Sequence, residues 1–295
     1  MIREQLLSTD ETALNVAIAG DGPPLVLLHG VTRAWQDYGE LFGSLAARWR
    51  VIALDFRGHG RSKAAPGRYR VVDYVRDAVA VLRAVVDRPA VIVGHSLGAM
   101  VAAAAAAEMP QLARGVALLD PPFDTMGSRI ESSGLLGYFQ QLQRLALKRL
   151  SVADAAREMA EISARRSAAS KPERLGNLRD AAAIRFCARC LAAADPEILA
   201  PIVAGDWLRG YERTAIFKAI RSPALLLQGS AALGGMLTDD DAREFRELVA
   251  DCSFVRIDGA GHLLHWQQAQ LVTRLIMAFV DSLDDPHDST GATTS

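Results

Sequence analysis

One pentapeptide, Gly94-His95-Ser96-Leu97-Gly98, constrains this chain more than any other stretch, because its neighbours dictate the backbone path through it. Ala90-Val91-Ile92-Val93 is a short, β-branched apolar run, and residues 97–108 are alanine-rich without a breaker. A strand therefore runs into a sharp turn and out into a helix, with a serine at the apex. The corner forces that serine into a sparsely populated backbone conformation, and Gly94 and Gly98 are small enough to let strand and helix approach each other. A helix starting there aims free backbone N–H groups and a positive dipole end at the space beside the hydroxyl. Such a corner suits a nucleophile whose attack creates an oxyanion.

The rest of the chain supplies elements on either side of this corner. Residues 12–19 alternate as a strand and end in the turn cluster Gly20-Asp21-Gly22-Pro23-Pro24. Leu25-Val26-Leu27-Leu28 reads as a strand buried on both faces and ends in His29-Gly30-Val31. Arg50-Val51-Ile52-Ala53-Leu54 is a second such strand. The segment from Asp55 to Ser62 after it has a structural role, with His59 a packed turn residue rather than a base. Residues 71–86 carry apolar side chains at helical spacing. After the alanine-rich helix, Gly115-Val116-Ala117-Leu118-Leu119 forms a strand that Asp120-Pro121-Pro122 ends abruptly. About a hundred residues then read as helical, over 138–150, 152–166 and 179–194, before the next strand at 223–228. The last strand, 252–257, leads into Asp258-Gly259-Ala260-Gly261-His262 and a helix over 264–283.

The serine corner, the His-Gly pair and the histidine in a glycine-rich loop after the final strand together resemble the α/β-hydrolase family over residues 12–282. The resemblance implies an α/β fold: a doubly wound, mostly parallel eight-stranded sheet with a helical cap inserted after strand 6. Residues 1–120 and 221–283 are then the core, 121–220 the cap, and 284–295 a polar, disordered tail. It further implies that Ser96 is the nucleophile, that His262 is the base, with His265 the competing choice, and that the backbone N–H groups of Val31 and Leu97 form the oxyanion hole.

The acid departs from the family pattern. Its usual place is the loop after strand 7, which here reads Gly229-Ser230-Ala231-Ala232-Leu233-Gly234-Gly235 and holds no carboxylate. Asp120, at the end of strand 6, is the first replacement; Asp239, Asp240 and Asp241 are the second, although they also fit the capped first turn of a helix, and an acid-free site is the third. The pocket is expected to draw on His29, His95, Phe123, Phe139 and Trp207, with Leu135, Leu136, Tyr138 and Tyr211 as further apolar residues of the cap.

The expected reaction is serine-dependent cleavage of a small carboxylic ester or lactone with an apolar acyl or aryl group, without metal or cofactor. A serine-dependent C–C bond hydrolase and a catalytically weak ligand-binding member are the alternatives. Ser96 argues against epoxide hydrolase or dehalogenase chemistry, whose family members carry an aspartate at this position. Scattered charge, 33 basic against 34 acidic residues, argues against nucleic acid or an anionic membrane as partner. The N-terminal residues lack a signal-peptide pattern and no apolar run reaches membrane-span length, so a cytoplasmic location is expected. Three cysteines do not make a disulfide framework, and Cys187 and Cys190 read as helix residues.

Overall fold

A computed structural model describes residues 1–165, 167 and 169–283. Eight strands form one sheet: β1 (Arg3–Ser8), β2 (Ala13–Ala19), β3 (Pro24–Leu28), β4 (Arg50–Leu54), β5 (Ala90–His95), β6 (Ala113–Leu119), β7 (Ala224–Gly229) and β8 (Cys252–Ile257). Their spatial order is β1-β2-β4-β3-β5-β6-β7-β8. β1 pairs antiparallel with β2 and β2 antiparallel with β4, and all other pairs are parallel. The chain leaves β3 toward β4 and leaves β5 toward β6, so the winding reverses between these neighbours. Their carboxyl ends flank the crevice where open α/β sheets bind ligands.

Alternation along the central strands assigns side chains to two cores. Val26, Leu28, Ile52 and Leu54 pack on one face with α2 (Val71–Val85) and α3 (Leu97–Glu108). Leu25, Leu27, Val51 and Ala53 pack on the other with α1 (Gly39–Ala46) and the C-terminal helix. Helix α3 is buried from Leu97 to Ala106, and its many alanines let it lie close to the sheet.

Between β6 and β7 no strand is added to this sheet among the described residues; the chain bridges the two strands with an insertion. It forms α4 (Leu135–Leu147), α5 (Val152–Ala160), a small hairpin of Ser163–Arg165 with Pro172–Arg174, α6 (Ala181–Ala193) and shorter helical turns. Polar contacts dock this insertion on the core: the Tyr211 hydroxyl donates to the Met100 carbonyl, Tyr69 to Asp195, and Arg70 to Asp206.

Three expectations are corrected here. The helix expected over 152–166 ends at Ala160, because Gln141 of α4 clamps the following chain, accepting from the Ser163 N–H and donating to the Ser163 carbonyl. Residue 166 itself, and the tail expected at 284–295, lie outside the described residues. The helix over 264–283 is two pieces, Leu264–Gln267 and Ala269–Ser282, broken at Gln268 where the Gln267 side chain turns back to accept the Gly261 N–H. Strand β1, the eighth strand of the expected sheet, was not located in the sequence: it is largely polar and part exposed, and it is held at the edge by backbone pairing with β2 and by Glu4, which accepts from the Asn15 amide and the Trp35 indole N–H.

Candidate active site

Ser96 sits between β5 and α3 at φ 55 and ψ −119, a conformation costly for a residue with a side chain. The neighbouring glycines make it attainable. A Cβ on Gly94 would lie 2.0 Å from the Gly98 carbonyl oxygen, and one on Gly98 would lie 1.9 Å from the Leu28 carbonyl oxygen. The Ser96 N–H donates to the Leu119 carbonyl at 3.1 Å, tying the corner to the end of β6. Leu97 is the first residue of α3, where the backbone N–H has no acceptor within the helix.

The loop after β3 lies against this corner, since a Cβ on Gly30 would stand 3.2 Å from the Ser96 Cβ. Residues 30–33 form a turn closed by the Arg33 N–H on the Gly30 carbonyl, with Thr32 at φ 63. Two buried histidines hold it from beneath. His59 accepts the Thr32 N–H on Nε2 while its Nδ1–H donates to the Arg57 carbonyl. His29 accepts the Phe56 N–H on Nε2, and its Nδ1–H donates to the Gly30 carbonyl. Each ring thus uses one nitrogen as donor and one as acceptor, the neutral form, and burial pushes His29 down to about 4 and His59 down to about 3. His29 was expected in the pocket. It is fully buried beneath the loop and lines neither cavity, because both its nitrogens serve backbone.

His262 meets Asp120. The imidazole Nδ1–H donates to Asp120 Oδ2 at 2.7 Å, and Asp120 also accepts the N–H groups of Gly229 at 2.9 Å, Met236 at 2.7 Å and Leu237 at 3.3 Å. The acid-free loop after β7 therefore takes part through its backbone: it supplies the donors that hold the carboxylate of Asp120. Glycines bring the two loops together, as a Cβ on Gly261 would stand 2.0 Å from the Leu233 carbonyl oxygen. Asp120 itself adopts φ 47, a left-handed conformation that aspartate tolerates better than most residues. The competing acids are engaged elsewhere: Asp239 pairs with Arg256, Asp240 with Arg243 and Asp241 with Arg213, and Thr238 caps their helix, Asp239–Leu248.

His265, the competing base, is fully buried with its Nε2–H on Asp37 Oδ2 at 3.0 Å, and it lines neither cavity. Asp37, His95 and His265 have ligand atoms within 4.8 Å of one another, a set that could hold a metal ion. Their present bonding satisfies the charge differently. Arg33 Nε lies 3.3 Å from Asp37 Oδ1 as an ion pair, and His95 Nε2–H donates to the His262 carbonyl at 2.8 Å. Burial opposes the charge on Asp37, but His265 and Arg33 outweigh it and hold the carboxyl below its usual range. With a guanidinium already beside the one carboxylate, the group reads as a buried ion-pair network under the His262 backbone.

Ser96 and His262 share an inner chamber of about 60 Å³, whose wall includes Val31, His95, Phe139 and Trp207. A larger cavity of about 580 Å³ opens beside it, and Tyr138, Arg179, Met236, His262 and Leu263 border both. Of the residues named for the pocket, His95, Phe139 and Trp207 line the inner chamber. Phe123 does not. It packs against Phe217 and Phe245 with ring centroids 4.8 and 6.4 Å away, in the core beneath the insertion. Arg33 and Arg179, unremarked in the sequence, also face the chamber. Only the position of Arg33, three residues beyond the His-Gly pair's glycine, could have pointed to it.

Known proteins resemble this chain in sequence and fold. The profile of the family described as "Alpha/beta hydrolase family" matches residues 25–275. The 2-(acetamidomethylene)succinate hydrolase of Mesorhizobium japonicum is 38% identical over 107 residues, which are 36% of this chain and 38% of that protein. The alignment thus spans little more than a third of that relative. The N-formylmaleamate deformylase of Pseudomonas putida is 27% identical over 277 residues, covering 90% of this chain and 91% of the relative. Among solved structures, the enol-lactonase from Burkholderia xenovorans LB400 superposes with a TM-score of 0.70 at 18% identity, over 94% of this chain and all of that one, a likeness of fold.

Proposed function

The chain belongs to the α/β-hydrolase family, and from that premise we propose that it is a serine hydrolase cleaving a small carboxylic ester or lactone through an acyl-enzyme on Ser96. The observation that carries this reading is the meeting of Ser96 and His262 in one chamber, with Asp120 bonded to the far nitrogen of the imidazole.

In the proposed mechanism the Ser96 hydroxyl attacks the substrate carbonyl while His262 Nε2 takes its proton. The negative charge on the carbonyl oxygen is met by the N–H groups of Val31 and Leu97, and Asp120 stabilises the imidazolium. Collapse breaks the C–O bond, and His262 returns the proton to the leaving alcohol. Water then attacks the acyl-enzyme with His262 as base, and the released Ser96 oxygen regains the proton. Residues 121–220 act as a cap over the serine, and the apolar walls at Met126, Phe139 and Leu263 receive the carbon skeleton of a small-molecule substrate. A cytoplasmic location belongs to the same proposal; among the described residues no helix is long and apolar enough to cross a membrane.

A second reading is favoured by the relatives' names: a hydrolase of 2-(acetamidomethylene)succinate and a deformylase of N-formylmaleamate. The same residues would then break a C–N bond, and His262 would return the proton to a nitrogen leaving group, an enamine or a carboxamide, in place of an alcohol. A C–C bond hydrolase would use the same serine, and a ligand-binding member would bind without turnover.

A fluorophosphonate probe and a panel of activated esters, lactones, N-acyl enamides and vinylogous diketones test these readings together. Rapid labelling that Ser96→Ala abolishes, with turnover of esters or lactones, supports the proposal. Turnover confined to amides or diketones moves the assignment to those bonds, and labelling-free stoichiometric binding overturns catalysis.

A further inference from the structure

The inner chamber is asymmetric in charge. Arg33 and Arg179 both line it, and among its described lining residues there is no aspartate or glutamate. Arg33 is paired with Asp37 behind the wall, whereas Arg179 meets no carboxylate among the described residues; in the adjoining large cavity Arg129 lies 3.1 Å from Asp124 and 3.6 Å from Asp240. Trp207, also on the chamber wall, is buried, and its indole N–H has no hydrogen-bond partner among the described residues. A buried donor left unpaired is costly, and an acceptor oxygen of a ligand entering the chamber would satisfy it.

Arg33 is held for the purpose. Its side chain is 9% exposed, its Nε pairs with Asp37, and its guanidinium carbon lies 5.5 Å from the centre of the Trp266 ring. Asp37 is in turn fixed by His265 Nε2–H and by the Trp266 indole N–H on its backbone carbonyl. A guanidinium restrained in this way loses little freedom when it binds an anion. Arg179 approaches from the insertion, where Nη1 lies 3.6 Å from Cys187 Sγ, a weak acceptor. An anion in the chamber would thus be gripped between the sheet side and the insertion.

We propose that the inner chamber is a carboxylate subsite, so that the substrate carries a carboxylate on its acyl part, held by Arg33 and Arg179 and by the indole N–H of Trp207. A volume of about 60 Å³ admits only a short fragment beside Ser96, so the carboxylate lies a few bonds from the scissile carbonyl, and the leaving group extends into the larger cavity. This rests on the serine hydrolase reading for its chemistry, but the subsite can be read by binding alone.

The test compares 4-nitrophenyl hydrogen succinate with its neutral methyl ester in wild type, Arg33→Met, Arg179→Met and Trp207→Phe. Wild type should prefer the acid by at least ~10-fold in kcat/KM, as charge-assisted bonds of this kind imply. That ratio should fall toward one in either arginine variant and by a smaller factor in Trp207→Phe. In parallel, Ser96→Ala should bind monomethyl succinate in calorimetry, and adding Arg33→Met or Arg179→Met should weaken binding by ~10-fold or more. The binding arm stands even if no ester is turned over, which separates failure of the subsite from failure of the hydrolase reading. Should Arg33→Met not fold, Arg179→Met decides. A wild-type enzyme that turns over both esters without preference, or a ratio and an affinity unchanged in Arg179→Met, would overturn the proposal.

Discussion

Asp120 and His262, 142 residues apart in sequence, meet at 2.7 Å, and the same carboxylate accepts three backbone N–H groups, one from the last residue of β7 and two from the segment after it. Asp120→Asn should therefore do two things. It should lower kcat by about four orders of magnitude, the scale seen when an amide replaces the carboxylate that sets a histidine tautomer. It should also cost about 1–3 kcal/mol of stability, because an amide NH2 cannot satisfy the N–H groups it faces. Asn at Asp239 or Asp240, both ion-paired on the surface, should leave kcat near wild type. Steady-state kinetics with a urea titration checks all three, and an active Asp120→Asn would remove Asp120 from the mechanism.

The two histidines should separate cleanly. His262→Ala is expected to lose nearly as much kcat as Ser96→Ala, about six orders of magnitude, since such residues act as a unit. His265→Ala takes a donor from the buried carboxylate of Asp37, so its main effect should be about 1–3 kcal/mol of stability. The reverse ranking in kcat would reassign the base.

Close approach at the serine corner makes a packing prediction. Gly98→Ala puts a methyl group 1.9 Å from the Leu28 carbonyl oxygen, so β3 and α3 must separate, at a cost above about 3 kcal/mol. Gly43 lies within a helix with nothing within 4 Å of an added Cβ, and Gly43→Ala should be neutral or stabilising by up to about 1 kcal/mol. Urea midpoints of the two variants decide; equal values would contradict the packing.

Acid stability should carry the signature of the buried neutral histidines. His29 and His59 are pushed from 6.5 to about 4 and about 3, so below pH 6.5 the unfolded chain binds more protons than the folded one. Their contribution is complete above that pH and declines as pH falls toward the folded values, by up to about 1.4 kcal/mol per unit for each group. Unfolding free energy measured between pH 7 and pH 4.5 should fall with this slope and fall less steeply in His59→Gln. An unchanged slope would mean that His59 is not held neutral.

What the sequence determined by itself is what neighbouring residues control. Apolar runs of strand length, the glycine-flanked Ser96 and the breaker-free helix after it specified the buried sheet and the corner with a serine at its apex, because backbone geometry there depends on residues within a few positions. The polar edge strand β1 escaped notice because backbone pairing, not side-chain pattern, makes it a strand. Only the tertiary structure decided which carboxylate serves His262. Asp120 follows β6 and Asp239 opens the helix after β7, and the choice depends on β6 lying beside β7, so that the end of β7 and the loop after it lend N–H groups to Asp120. The sequence placed His59 in a packed turn, but the roles of His29 and His265 were not legible, since a neutral ring and a base differ only in what surrounds them. His29 and His59 are spent on backbone, and His265 on Asp37, by contacts between segments that meet only after folding.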